Sequence, residues 1–222
     1  MYQFNFQPVF ESLDLLANGA WLTVRLSLMA MVLGLVVSVL GAVGKTSGIR
    51  PLRLLIDIYV EVIRNTPFLI QIFFIYFGLP AIGLSMSPDS AALLALVINV
   101  GAYGTEIIRS GIESIPRGQI EAGRALGLNP VQIFRYVVIR PALRNIYPSL
   151  TSQFIYLMLT SSVVSVISAS DLASAGADLN ARTFASFEIY LVLTIMYFLL
   201  ALGFSTVFGV IRRVFFDYPA GR

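Results

Sequence analysis

Cysteine and histidine are both absent from these 222 residues. The first absence excludes a disulfide framework. Together they remove thiol and imidazole chemistry and both good zinc donors, and a histidine-based catalytic triad is impossible. Charge is scarce as well. Charged residues make up 12% of the chain against 57% hydrophobic, about half the charged share of an ordinary globular protein. That is too little to cover the surface of a soluble domain of this length. Basic residues are missing from residues 1–20, so that segment lacks the positive start of a secretory signal peptide and is not expected to be one. In a soluble chain the net charge of +3 hints at nucleic acid. In a chain this apolar it reports the excess of Lys and Arg on the cytoplasmic side of a membrane, and no nucleic-acid partner is expected.

What remains is apolar runs near the ~20 residues that cross a bilayer core. Five are expected to span: Trp21 to Gly44, Leu54 to Leu79, Asp89 to Ser114, Tyr147 to Ser168 and Glu188 to Ile211. Arg25 and Trp21 suit the interface at the start of the first. Ahead of it, Pro8, Val9, Phe10, Leu13 and Leu16 have the spacing of a short interfacial helix. The second run is unusual. Asp57, Glu61 and Arg64 share one helical face in its first half, and Asn65-Thr66-Pro67 then interrupts it. It reads either as one kinked helix or as two half-helices. The three charged residues read as structural, pairing along their face. Gln71, beyond the proline, is a better candidate for a transport path. The fold class expected is an all-α polytopic membrane protein, one transmembrane domain over 1–222, with an outer segment 1–20.

Basic residues set the expected orientation. The segments after runs one, three and five carry Lys45, Arg50 and Arg53; Arg117, Arg124, Arg135, Arg140 and Arg144; and Arg212, Arg213 and Arg222. The 78–88 loop has none and the 169–187 loop only Arg182. The N-terminus is therefore expected outside and the C-terminus inside.

Gly44-Lys45-Thr46 imitates the end of a phosphate-binding loop, but Val39 stands where the first glycine belongs and a spanning helix replaces the required strand. The expectation is that Gly44 ends the helix and places Lys45 at the inner headgroups. The segment 115–145 has clearer punctuation. Ile115-Pro116-Arg117-Gly118 starts a helix, Gly127 closes it in the left-handed conformation, Asn129 caps a second helix and Pro130 opens it. Ile133, Phe134, Val137 and Val138 line one face of that second helix, and Pro141 ends or bends it. A loop that only attracts anionic lipid needs no such stops and starts, so something docks on this shape.

With these residues the sequence resembles the permease subunits of bacterial ABC importers. Glu121-Ala122-Gly123-Arg124-Ala125-Leu126-Gly127 matches their EAA loop. Arg64 to Gln71, Ile75 to Pro80, Tyr103 with Glu106 to Ile112, and Pro116 to Gln119 look like the polar amino acid branch. The resemblance covers roughly residues 15 to 215. It implies a bacterial inner-membrane, type I importer permease. Such a chain pairs with a second, identical or similar permease and receives a polar amino acid from an extracytoplasmic binding protein. It couples to separate ATPase subunits that hold the ATP and Mg, with no cofactor and no bond chemistry of its own. It implies ATPase-coupling roles for Glu121, Ala122, Arg124, Leu126, Gly127 and Leu128. Two departures stand out. Arg140-Pro141-Ala142-Leu143-Arg144 shifts a proline by one position, and Leu159-Thr160 replaces a charged pair ahead of Ser161-Ser162.

Inside the spans, Ala91, Ala95, Asn99, Ala102, Glu106 and Ser110 recur on one face of run three. Ser149, Gln153, Tyr156 and Thr160 do so on run four, beside a row of Ser161, Ser165 and Ser168. Small and hydroxylated faces let membrane helices pack, which accounts for most of the serines. A carboxylate one turn inside Arg109 is costly in a bilayer unless paired or facing water. Glu106 is therefore either part of a path with Gln71, Asn99, Gln153, Thr160 and Ser161, or half of a structural ion pair. Ser170 or Asp171 is a cap for a short helix. The resemblance makes Asp171 and Leu172 part of an outer gate, and a solvated loop is the alternative. The rival functions are an ATP-independent carrier or channel, which calls for inverted repeats not visible here, and a membrane scaffold with no path.

Overall fold

The computed structural model describes residues 4–216, helical apart from short connections. Residues 1–3 of the expected outer segment, and Arg222 of the expected inner basic set, lie outside the described residues. The helices are α1 (Gln7–Glu11), α2 (Leu13–Thr46), α3 (Arg50–Arg64), α4 (Phe68–Phe73), α5 (Pro88–Glu113), α6 (Arg117–Ala125), α7 (Pro130–Gln132), α8 (Ile139–Thr160), α9 (Leu172–Thr183) and α10 (Ser186–Phe215). A π-helical turn, Phe74–Gly78, and a 3-10 turn, Leu79–Ile82, continue α4. A second π segment, Ile133–Val138, joins α7 to α8, and 3-10 residues Ser161–Ile167 extend α8. Among the described residues four stretches are long and apolar enough to cross a membrane: α2, α5, Pro130–Ile167 and α10. Counted as one span, the bent pair Arg50–Arg64 and Phe68–Ile82 makes a fifth.

The second span is two half-helices, bent by 110° at the break. Pro67 has no N–H to continue the ladder. Side chains satisfy the carbonyls left over at the end of α3. Thr66 Oγ1 donates to Val62 O at 2.7 Å and Asn65 Nδ2 to Glu61 O at 2.8 Å.

Three boundaries differ from the sequence reading. The first span begins at Leu13 rather than Trp21, and the preceding helix keeps only Gln7–Glu11. Nothing between Leu13 and Trp21 breaks the helix, and Gly19 lets α9 approach closely: a Cβ there stands 3.0 Å from Leu172 Cα. Gly44 does not end α2, which runs on to Thr46; the left-handed glycine is Gly48 at φ 77°. Gly44 is small because the Ile56 side chain lies against it. Pro141 ends nothing either, since Pro130–Ile167 is one 38-residue run. The widened π turns of Ile133–Val138 come just ahead of the ring and absorb its missing donor.

The core is a seam between α2 and α5. Ala30, Met31, Ala91, Ala95, Leu96 and Val100 are buried along it, and α4 and α8 add Ile72, Leu157 and Met158. A second apolar cluster, with Val9, Leu16, Leu172, Leu179, Ile189 and Leu193, packs α9 between the start of α2 and the start of α10.

Candidate functional site

The segment 115–145 has the expected grammar in three dimensions. α6 closes with Gly127 at φ 77°. Gly127 N donates to Arg124 O at 2.9 Å and Leu128 N to Gly123 O at 3.1 Å, the paired bonds of a glycine-stopped helix end. Asn129 then makes a reciprocal cap with Gln132, with both bonds at 2.9 Å. Ile115, Ile133, Val138 and Ala142 form a small apolar core beneath the turn, with Ile120 and Leu128 packed on it. Gly123 is buried against Ile133. This core fixes the angle between α6 and the rod that follows.

Glu121, Ala122, Arg124, Leu126 and Gly127 are exposed on this frame, and Leu128 is half-buried. Leu126 is 81% exposed and Val131 74%, so apolar side chains form the tip of a capped structure outside the bundle. A depression of about 240 Å³ beside it is lined by Ile120, Arg124, Leu128, Ile133 and Phe134. Exposed apolar residues gathered on a rigid element mark a docking surface.

The polar residues within the spans separate into two groups. Gln71 Nε2 donates to Ile63 O (2.7 Å) and to Thr66 O (3.0 Å), across the break in span two. Its Oε1 accepts from Asn99 Nδ2 at 3.1 Å. Gln71 and Asn99 therefore meet, and they tie the bend to α5. Ser161 is buried and donates to Met158 O at 2.7 Å, where α8 tightens to 3-10. Thr160 is half-buried beside it. Among the described residues, buried Gln153 Nε2 has no hydrogen-bond partner.

Glu106 lies elsewhere, about two turns along α5 from Asn99. It accepts from Lys45 of α2 and, at 2.8 Å, from Arg109. Lys45 also pairs with Asp57 at 2.6 Å, and Arg109 with Glu113. Lys45 is 10% exposed and Glu106 18%. Removing one partner of an ion pair this buried costs about 3–5 kcal/mol, so the cluster fastens α2, α3 and α5 together. It also lines one wall of a cleft of about 710 Å³ that runs along α3 from Arg50 to Glu61.

Among the described residues, Asp57, Glu61 and Arg64 do not pair with one another as expected. Asp57 is drawn to Lys45 and, at 3.6 Å, to Arg53. Glu61 accepts from Asn65 Nδ2. Arg64 lies over the Tyr103 ring, 5.4 Å from its centroid.

Asp171, not Ser170, caps α9, accepting from Ser174 N at 2.8 Å. Tyr197 of α10 donates to its other oxygen at 3.2 Å, and Leu172 N donates to Thr23 Oγ1 of α2 at 3.0 Å. Ser170 N donates to Asp89 at the start of α5, at 2.7 Å. Asp171 and Leu172 are both buried, so this connection is a latch to three helices rather than a solvated loop. Burial pushes the Asp171 carboxyl up to about 6. A carboxyl raised in this way stabilises the fold fully below its unfolded value, and that contribution is lost as pH rises through about 6. Asp171→Asn keeps the cap through Oδ1 and turns Nδ2 toward the Tyr197 hydroxyl oxygen as a donor, without the charge. At pH 7.5 it should slow hydrogen exchange in Leu172–Thr183, and it should remove the difference between pH 5.5 and 7.5 after correction for intrinsic rates. A variant that exchanges as fast as the parent at pH 7.5 contradicts the assignment.

Sequence reasoning missed Lys45, Thr23, Asp89 and Tyr197. Their partners lie far along the chain, and no local spacing announces them.

Residues 30–216 match the family described as binding-protein-dependent transport system inner membrane component. The chain is 34% identical over 213 residues to the glutamine transport system permease protein GlnP of Escherichia coli (strain K12), covering 95% of this chain and 97% of that one. It is 33% identical over 207 residues to the L-cystine transport system permease protein TcyB of Bacillus subtilis (strain 168), covering 93% and 88%. The crystal structure of an amino acid ABC transporter superposes with a TM-score of 0.89 at 35% identity, over 96% of this chain and 99% of that one. An inward-facing MetNI methionine ABC transporter superposes at 0.69 with 24% identity, over 90% and 98%, and shares the fold.

Proposed function

The chain belongs to the family of binding-protein-dependent transport system inner membrane components, and from that premise we propose that it is the multi-pass permease subunit of an ATP-driven importer of polar amino acids. Glutamine and cystine, named for its relatives, are the first substrates to test. The observation that carries the coupling is the α6 turn. A capped helix end with Leu126 and Val131 exposed at its tip, held by its own small core, is a rigid lever outside the spans.

In this reading the turn seats in a separate ATPase, with Leu126 and Leu128 as the apolar contacts and Arg124 at an acidic rim. Glu121 and Ala122 complete the docking face. The end of the bundle with Lys45, Arg109 and α6 faces the cytoplasm, and the end with Asp89 and Asp171 faces outward. The latch at Asp171 and Leu172 lies where a binding protein delivers substrate. A second permease, identical or similar, completes the path. ATP and Mg stay on the ATPase. Closure of two ATPases draws two α6 turns together, and the unbroken Pro130–Ile167 rod carries that movement through the membrane to the latch.

The test is reconstitution. The chain should retain an ATPase subunit through purification, and with ATP and a binding protein it should drive uptake of labelled L-glutamine or L-cystine into proteoliposomes. Purification without any ATPase, or uptake that needs no ATP, refutes the reading.

A further inference from the structure

Among the described residues, the break in span two leaves Arg64 without a carboxylate. Tyr103 and Asn99 are the α5 residues that meet the break, through Arg64 and Gln71. At ~1.5 Å per residue Asn99 lies about 16 Å from the start of α5 and Tyr103 about 15 Å from its end. The break therefore sits near the middle of the bilayer, at the level of the centre of a full spanning helix. Arg64, Asn65 and Thr66 are all exposed there. Lys45 and Arg109 are taken by carboxylates, and Arg25 lies level with Asp89, at the end of α5. Among the described residues no carboxylate comes within 4 Å of Arg64; only the Tyr103 face holds it.

An exposed guanidinium at the bilayer centre costs about 2.5–3.5 kcal/mol against lipid. It persists where it faces water or an anion. The charged cleft along α3 reaches Glu61, one turn short of Arg64, so a polar route from the Lys45 end leads to this position. A guanidinium steadied by an aromatic ring keeps its N–H fork free for a planar, two-oxygen acceptor. Glu61 is exposed beside it, with Oε2 accepting from Asn65 Nδ2 at 2.8 Å and Oε1 without a partner among the described residues. At i, i+3 the two side chains are neighbours on the helix surface.

We propose that Arg64 receives the carboxylate of the transported amino acid and Glu61 its ammonium group, so that the broken second span holds the zwitterionic backbone common to all such substrates. This rests on the amino acid reading above. It leaves the substrate side chain to other surfaces, and it explains why a helix break and an exposed cation coincide.

The experiment uses the complete permease–ATPase complex in proteoliposomes at saturating binding protein, with tritiated L-glutamine and radiolabelled L-cystine as probes. Uptake and ATP hydrolysis are recorded together. Arg64→Gln should lower uptake by about 30-fold or more and raise the ATP consumed per imported molecule by a similar factor. Arg64→Lys should recover much of the loss. Glu61→Gln should act in the same direction as Arg64→Gln. A change in ATP per molecule separates a lost substrate contact from a merely unstable protein, which lowers both rates together. Uptake by Arg64→Gln within twofold of the parent overturns the proposal. So does loss of the permease pair on purification, which makes Arg64 an assembly contact to a carboxylate on the second subunit. A parent complex that imports neither probe nor any other labelled polar L-amino acid refutes the amino acid reading itself, whereas an active parent matched by Arg64→Gln refutes only the Arg64 assignment.

Discussion

Replacing Gly127 with proline should abolish ATP-driven uptake while leaving a helical protein in the membrane. Gly127 sits at φ 77°, where proline, fixed near −65°, cannot follow. Its N–H donates to Arg124 O, and proline has none to give. The Leu128 bond to Gly123 O closes the same turn and goes with it. Together these losses cost about 3 kcal/mol or more, enough to convert a single docked geometry into a minor one and to lower coupled uptake by about 100-fold. The bulk of the new side chain is not the cause, because a Cβ at Gly127 meets nothing within 4 Å. A graded series should reveal this. Gly127→Asn should be mild, since Asn tolerates the left-handed region. Gly127→Ala should cost about 1 kcal/mol, and Gly127→Pro should be severe. Uptake and ATPase retention are measured side by side. A proline variant that keeps its ATPase and imports within threefold of the parent contradicts the lever.

That turn was legible in the sequence because its determinants are local. Gly127, Asn129 and Pro130 act over three or four residues, and their identities suffice to place stop and restart; the reciprocal bond from Gln132 came only with the structure. The five spans were legible because the bilayer sets their length and apolarity. Local rules failed where packing overrode them. Pro141 was read as an end or a bend; it ends nothing, because the π turns ahead of it accommodate the ring. Gly44 was read as a helix end, but it is small for the sake of Ile56.

The polar sites were the least legible. Glu106 was visibly costly, yet its partner Lys45 lies 61 positions away, beyond any spacing argument. Asp57, Glu61 and Arg64 share a face in the sequence, which suggested mutual pairing. Folding supplied competitors, Lys45 for Asp57 and Tyr103 for Arg64, and among the described residues left Arg64 without a carboxylate. Whether the Asn65-Thr66-Pro67 break kinks a helix or splits it depends on Gln71 reaching back to Thr66 O and across to Asn99. The second of those contacts is tertiary.

The largest stability effect is expected at the seam between α2 and α5. In a bilayer, lipid chains are as apolar as the helices, so helix association rests on close packing and hydrogen bonds rather than on release of water. The seam is built for contact: Gly34 against Val100, Ser38 against Gly104, Gly41 against Thr105, and Gly101 against Val37 and the Tyr59 hydroxyl. Close approach lets side chains reach the opposite backbone. Ser38 Oγ, which donates to Gly34 O of its own helix at 2.7 Å, lies 3.2 Å from Val100 O of α5, and Thr105 Oγ1, which donates to Gly101 O of its own helix at 2.7 Å, lies 3.5 Å from Ser38 O of α2. A Cβ at Gly104 collides with Ser38 Oγ and comes within 2.7 Å of Ser38 Cβ. Neither helix can yield locally, because the next contacts along the seam are equally tight. Gly104→Leu should therefore force the helices apart at a cost of about 3 kcal/mol or more. The separation also pulls Lys45 from Glu106 at the end of the seam, and the purified protein should aggregate or lose its ATPase. Gly104→Ala with Ser38→Gly is the discriminating pair. If the collision with Ser38 is the cause, the single alanine variant should lower the thermal unfolding temperature in detergent and the double variant should recover most of the loss. If Ser38→Gly makes the alanine variant worse by more than its own effect, the hydrogen bonds of Ser38 rather than its volume hold the seam.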